Sequence, residues 1–430
     1  MNFSENNFKK FIKDLTIIWY GPIYSPTGYG QVSRNYIIGL AKEGINVRVI
    51  PANRDEIEKI DKKEVDILKR LENSKLTTLR ILCVNSEPDL WPLIKTRNVS
   101  FIIGVTIFES DGIPKRWVNV CNSKSVDRIW LPTKFNIASF INSGVKKEKL
   151  ALVPYGIDPI KYPPKRTKLT KKPFSFLYIA DFRPRKNVEQ LITAFSKEFS
   201  NNKNVELHLH LTSKEKDIIG YLRSKGFNNI PANIKIDTQK LNYAEIKDLI
   251  ASSGAYITVD RANGWGMPAM EAMALRVPAI TINWSGSTEF MKDYNSFLIE
   301  PTGLEKANEE IVLDNPLYIN QNFANVSVSK IQNIMREVYS NKVKREIIAI
   351  NGHNTIVKDF NDHKINSIIL NDLKQIKGLR RFDSDFSLTI NNRTIYKLYR
   401  YFSNNINYLI TFRNFKLVKK TIKNVMAILK

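Results

Sequence analysis

Short apolar runs bounded by glycine, proline and polar turns alternate along the chain with longer segments whose apolar residues recur every three or four positions. In the first 155 residues the runs are Leu15 to Tyr20, INVRVI, LRILCV, VSFIIGVTIF and DRIWLP. Continuous short runs of this kind are strands buried on both faces, and helix-length connections between them imply parallel sheets. A second series starts with FSFLYIA and continues through VELHLHL, NIKID, AYITV, PAITI and SFLIE, with helical segments such as VEQLITAFSKEF and YAEIKDLIASS between. Between the series lies a proline- and lysine-rich stretch poor in apolar residues, which reads as a linker. The pattern predicts an α/β protein of two doubly wound, Rossmann-like domains facing each other across a cleft. Their bounds are 1–160, a linker over 161–173, and 174–376, the last including terminal helices over SVSKIQNIMREVYS and KREIIAINGHNTIVKDF.

Several loops at predicted strand ends carry candidate chemistry, because ligands of open parallel sheets bind beyond the carboxyl ends of the strands. In the stretch GAYITVDRANGWGMPAMEAMALRVPAITINWSGSTE, Gly264 and Gly266 punctuate the turn after a strand, Pro268 suits a first helical position, and Glu271 lies inside the helix. A second glycine turn, Ser285 to Ser287, follows the next strand. Near the start, Gly28 and Gly30 precede a helix, a pattern that suits an anion at a helix N-terminus; without GxGxxG it does not suggest a dinucleotide cofactor. In ADFRPRKNVEQLI, Arg183, Arg185 and Lys186 come together at a strand end, before a helix that Asn187 is placed to cap. Three cations there suit a diphosphate. In TIFESDGIPKRW, Glu109 is placed either to orient an acceptor hydroxyl or to cap the next helix, and Thr133 is a further helix cap.

Composition narrows the function classes. With 430 residues, 43% hydrophobic and 25% charged, the chain is long enough for two cores, and no apolar run approaches the length that crosses a membrane. The N-terminus lacks the order of basic start, apolar segment and small-residue cleavage site of a leader. Cys83 and Cys121 form neither a disulfide framework nor a zinc motif, which fits a cytoplasmic protein. His208 and His210 share one strand face and read as structural. A net charge of +24 attracts anions of any kind, but no nucleic-acid-binding motif accompanies it, so nucleic acid is not an expected partner. The single DxD-like string, Asp383 to Asp385, lies outside both domains, so no metal is expected.

The string GWGMPAMEAMAL-V-PAI, with the glycine turn and Glu289 after it, resembles the donor-binding signature of the retaining, nucleotide-sugar-dependent glycosyltransferases of family 4, which have the GT-B fold. The passage WLPTKFNIASFINSGVKKEKLALVPYGID and the basic loop resemble the same family, and the resemblance spans roughly 15 to 375. It implies a UDP- or GDP-linked sugar as donor substrate, no cofactor, and a glycan or lipid-linked acceptor in cell-surface polysaccharide or glycoconjugate synthesis. The donor would be held by Gly28, Gly30, Asn263, Gly264, Trp265, Gly266, Met267, Glu271, Gly286, Ser287 and Glu289, with Glu271 on the ribose. Lys186, with Arg183 or Arg185, would neutralise the diphosphate, and Glu109 would orient the acceptor. Removing the Lys186 ammonium should then cost turnover and leave folding little affected. One departure stands out: the family usually has a glutamate where this chain has Asn263. Either the donor-sugar contact is retuned, or the protein is a catalytically impaired nucleotide-sugar-binding or scaffold protein.

Beyond 376 a basic tail follows. Residues 391–430 hold nine lysines and arginines and no acid. Ile395, Leu398, Tyr399 and Phe402 fall on one helical face and Val418, Ile422, Val425, Met426 and Leu429 on another. Two basic amphipathic helices are expected, which either pack on the domains or attach the protein to an anionic membrane surface.

Overall fold

The computed structural model describes residues 11–54, 56–164, 173–212 and 217–390. The chain divides into two compact units, the first built from residues up to Gly156 with Ala307–Gln321 and the residues from Asp362 onward, the second from Ile157–Lys306 and Asn322–Asn361. Each carries one six-stranded parallel sheet, as the alternation predicts.

In the first unit the strands are β1 (Leu15–Gly21), β2 (Asn46–Pro51), β3 (Leu79–Asn85), β4 (Ile94–Arg97), β5 (Phe101–Val105), β6 (Arg128–Leu131) and β7 (Leu150–Leu152). The sheet runs β2-β1-β3-β5-β6-β7. Every residue of β1 and β3 is buried, which explains why these strands read as continuous apolar runs rather than alternating ones. The long helix Gly28–Lys42 buries Val32, Tyr36, Ile37 and Leu40, the positions its periodicity marks.

In the second unit the strands are β8 (Phe174–Asp181), β9 (Val205–Thr212), β10 (Ile234–Asp237), β11 (Ala255–Ile257), β12 (Ala279–Ile282) and β13 (Phe297–Ile299), in the order β10-β9-β8-β11-β12-β13, followed by a ribbon of β14 (Gly303–Lys306) and β15 (Asn322–Asn325). Its core is aromatic on one side: Phe174, Phe176, Phe199 and Tyr339 meet edge to face, apart from the stacked pair Phe176 and Phe199, with centroids 5.1 to 6.1 Å apart. On β9, His210 is buried and its Nδ1 lies 3.1 Å from Asp237 at the end of β10. Burial lowers the pKa of His208, whose Nε2 lies 3.9 Å from the same carboxylate.

Three features depart from the sequence reading. The helix Asp362–Leu373 belongs to the first unit rather than the second: Asp372, 7% exposed, accepts from Trp130 Nε1 at 2.8 Å and pairs with Arg128, both on β6. A methyl group on Gly39 would stand 2.6 Å from Asn366 Oδ1, so glycine is what lets this helix lie against Gly28–Lys42. Second, β16 (Ser387–Ile390) pairs antiparallel with β4, and buried Arg80 donates to the Ser384 carbonyl at 2.8 Å; both strands are only four residues long and carry no apolar run. Third, the predicted linker begins with ordered structure, a turn over Pro159–Lys161 and then Tyr162, 2% exposed. The tail helices expected over 391–430 lie outside the described residues.

Replacing Asp372 by alanine leaves a guanidinium and an indole N–H without their acceptor. It should cost about 3 kcal/mol of stability, measured by denaturant titration, whereas the exposed pair Lys344–Glu337 should be nearly silent under the same test.

Candidate functional site

In the second unit the carboxyl ends of β8, β11 and β12 deliver three loops to one edge of the sheet. After β8 the chain makes a turn over Pro184–Lys186, and Asn187 at φ 57° starts the helix Val188–Phe199. Asn187 makes no capping bond; its amide instead reaches Gln190 Oε1 at 2.5 Å. The three expected cations have different surroundings. Lys186 Nζ pairs with Asp260, with side-chain exposures of 16% and 5%. Arg185 Nη1 donates to the Ala262 carbonyl at 2.9 Å, and Arg183, on the surface, pairs with Asp181 at 2.6 Å.

Asp260 is the residue the sequence reading overlooked. It stands just after β11 and accepts from Thr258 Oγ1 at 2.8 Å, from Tyr178 Oη and from Lys186 Nζ. The Tyr178 hydroxyl also lies 2.9 Å from the Lys186 carbonyl oxygen, so its single proton is shared between that oxygen and Asp260. Burial first, and Asp260 second, push the Tyr178 phenol far above its ordinary value, so it stays protonated and remains a donor. The signal in the sequence was an acid at a strand's carboxyl end, one loop away from a basic cluster.

The next loop is joined to its neighbour by Asn263. Its side-chain Oδ1 accepts from the Ser287 amide at 3.0 Å, its carbonyl from the Gly286 amide at 2.9 Å, and its own N–H donates to Ser285 Oγ at 3.1 Å. A methyl group on Gly286 would fall 1.7 Å from the Gly264 carbonyl oxygen, so the two glycines mark a close crossing of backbones. Gly266 at φ 91° turns the chain into the helix Met267–Ala274, which starts with Met267 and Pro268 and carries Glu271, 5% exposed. Glu271 Oε1 accepts from Tyr162 Oη at 2.9 Å and from Tyr243 Oη at 3.4 Å. Trp265 points inward, its ring 5.0 Å from Phe290 and 5.9 Å from Phe360, with its N–H 3.1 Å from Met270 Sδ. Ser287 is buried and Glu289 half-buried beside it. Asn263, Gly264, Gly266, Glu271, Gly286 and Ser287 thus gather on one edge with Lys186 and Arg185.

In the first unit Gly30 has a packing reason, since a methyl group there would meet the Ser25 carbonyl at 2.0 Å, while Gly28 has open space around it. Buried Arg34 holds this loop, donating to the carbonyls of Ile23 at 3.0 Å and Ser25 at 2.7 Å. Glu109 follows β5 half-buried. The helix Lys115–Asn122 that follows starts after Pro114, which makes no side-chain cap. The Tyr155 phenol, 6% exposed, is raised by burial and then by Glu109. Thr133 does cap, accepting from the Asn136 amide at 2.9 Å. Among the described residues no three His, Cys, Asp or Glu side chains cluster in a way that could hold a metal.

Residues 162–320 match the family model described as Glycosyl transferases group 1. Solved structures share the fold. The Anabaena protein Alr3699/HepE, crystallised with UDP and glucose, aligns at a TM-score of 0.60 with 14% identity over 84% of this chain and 100% of its own. A glycosyltransferase from Rickettsia africae aligns at 0.61 with 13% identity, covering 84% and 98%. A UDP-forming trehalose-phosphate synthase from Burkholderia xenovorans aligns at 0.58 with 12% identity, covering 85% and 99%. No curated protein sequence matches the chain. The fold is that of the GT-B glycosyltransferases, with two Rossmann-like domains, and most of the family match, 162–306, falls on the unit that carries Lys186, Asn263 and Glu271.

The burial of Lys186 against Asp260 corrects the expectation that its removal spares the fold. Lys186→Ala strands a buried carboxylate and should cost about 3 kcal/mol of stability. Adding Asp260→Asn should recover much of that loss, read as a non-additive pair in a double-mutant cycle of melting or denaturant data.

Proposed function

We propose that the chain is a retaining, metal-independent glycosyltransferase that moves a sugar from a UDP- or GDP-linked donor to a glycan or lipid-linked acceptor in cell-surface polysaccharide or glycoconjugate synthesis. The observation that supports this best is the convergence of Lys186, Arg185, the Gly264–Gly266 turn and Glu271 on one sheet edge, inside the segment that matches the family model. The structures solved with UDP or UDP-glucose make UDP the first donor nucleotide to try.

The chemistry follows from charge. The bond between the sugar's anomeric carbon and the diphosphate oxygen breaks while the acceptor hydroxyl oxygen bonds to that carbon on the same face, and the hydroxyl proton passes to the departing phosphate. Negative charge grows on the diphosphate and needs donors already in place. Lys186 supplies an ammonium whose direction is set by Asp260, and the amides after Gly266 add the positive end of a helix. Glu271 accepts from ribose hydroxyls, and Glu109 orients the acceptor hydroxyl.

Asn263 decides between this reading and a second one. Its side chain is engaged with the Ser287 amide, which supports a protein that organises the donor loops and binds nucleotide sugar without turning it over. A thermal-shift screen of nucleotide sugars, followed by turnover of the best binder, separates the two. Ligand at a hundred times its Kd should raise stability by about 2.7 kcal/mol. Transfer or donor hydrolysis supports the enzyme, stabilisation without either supports the binding protein, and no stabilisation by any nucleotide sugar removes both. Asn263→Glu should change donor preference or activity.

For localisation we propose a cytoplasmic protein held peripherally at the inner face of a membrane through its basic tail. Among the described residues no helix is long and apolar enough to cross a membrane. The full chain should sediment with anionic liposomes at low salt and be released at high salt, because each basic residue near such a surface contributes about 1 kcal/mol. A chain ending at Lys377 that sediments equally would refute the role of the tail.

A further inference from the structure

Glu271 is a buried carboxylate in a helix, and an ionised carboxylate so placed must find donors or be costly to hold. The donors it finds are unusual in origin. Tyr162 comes from the turn that opens the second unit, more than a hundred residues earlier, and Tyr243 from the first residue of the helix Tyr243–Ser252. Both phenols converge on the same oxygen, Oε1.

Each tyrosine is itself fixed. The Tyr162 turn is closed by Asp158, whose Oδ1 accepts from the Ile160 amide at 3.1 Å, and by the Tyr162 amide bonding to the Pro159 carbonyl at 3.0 Å. Tyr243 follows a complete capping box, Asn242 with Glu245, which sets the start of its helix. The two rings meet edge to face at 6.3 Å and 86°. Lys247, one helical turn on from Tyr243, stands 5.9 Å from both ring centroids and donates to the Lys161 carbonyl at 3.0 Å. A cation shared by two ring faces and tied to the Tyr162 turn binds the pair together.

We propose that Tyr162, seconded by Tyr243, is a positioning residue for donor recognition. By holding Oε1, the two phenols fix the rotation of the Glu271 carboxylate, so that it meets the ribose hydroxyls of the nucleotide without reorganising. This rests on the proposed donor role of Glu271 and adds to it the groups that aim it. The effect is on binding common to ground and transition states, so it falls on KM for the donor rather than on kcat.

The test is calorimetric titration of the full chain with UDP and GDP, each against its 2′,3′-dideoxy analogue. Tyr162→Phe keeps the ring and removes the hydroxyl. It should bind the ribonucleotide about tenfold more weakly, the usual scale for one hydrogen bond to a charged acceptor, and bind the dideoxy analogue as the wild type does. Tyr243→Phe, whose bond is longer, should show a smaller loss with the same selectivity, and in turnover Tyr162→Phe should raise donor KM with kcat unchanged. Unaltered ribonucleotide affinity in Tyr162→Phe, or an equal loss for ribo and dideoxy nucleotides, overturns the positioning role while leaving the donor reading standing. A wild-type chain that binds neither nucleotide overturns the donor reading and this inference with it.

Discussion

A buried anion must be surrounded by donors, and the ligand edge of the second sheet is arranged around that requirement at Asp260. Its carboxylate gathers a hydroxyl from its own loop, a phenol from β8 and the ammonium of Lys186. Three separate stretches are thereby held in one register, and the lysine that would face a diphosphate cannot wander. Truncating either partner would expose the low-dielectric cost of the other, so the proposed phosphate role of Lys186 and the stability of this edge would be tested together. The bond to Asp260 fixes where the Lys186 ammonium sits.

Glu271 repeats the arrangement a helix away. There two phenols, Tyr162 and Tyr243, donate to one carboxylate oxygen. Asp260 is paired with the Lys186 ammonium, whereas two phenol hydroxyls donate to Glu271. Asn263 lies between them as a neutral clasp, joining the two glycine turns through backbone and side chain together.

The sheets were legible because their strands are buried on both faces and their apolar runs are uninterrupted, as in Leu15–Gly21. The antiparallel ribbons were not, because Gly303–Lys306 is exposed along its whole length and carries no apolar signal. The return of Asp362–Leu373 to the first unit was equally hidden. What decides it is one aspartate meeting Arg128 and Trp130 from 240 or so residues away, a contact that periodicity does not encode. The glycines of this sheet edge were readable in kind, but the reason for Gly286, a backbone crossing at Gly264, exists only in three dimensions. Asp260 and Tyr162 escaped for a related cause: neither belongs to a spacing pattern, and each matters through its partner. Asn187 was misread because an Asn before a helix is a common cap, whereas here its positive φ makes it a turn residue.

The neutral residue at position 263 can be weighed against the glutamate of the resembling family by what it does to the local charge. With 5% exposure, a carboxylate there would need donors beyond the Ser287 amide that Asn263 already uses, and Asp260 and Glu271 already supply two buried acids to this edge. A third would oppose the negative charge that a diphosphate brings, unless a sugar hydroxyl or a cation answered it. An amide accepts the same backbone N–H without adding that repulsion, so it keeps the two turns together whether or not a sugar is bound. The substitution thus exchanges a contact that is complete only with its ligand for one that is complete without it. On the proposed donor role, that favours loops organised before a donor arrives and would leave the choice of sugar to the remaining groups of the edge.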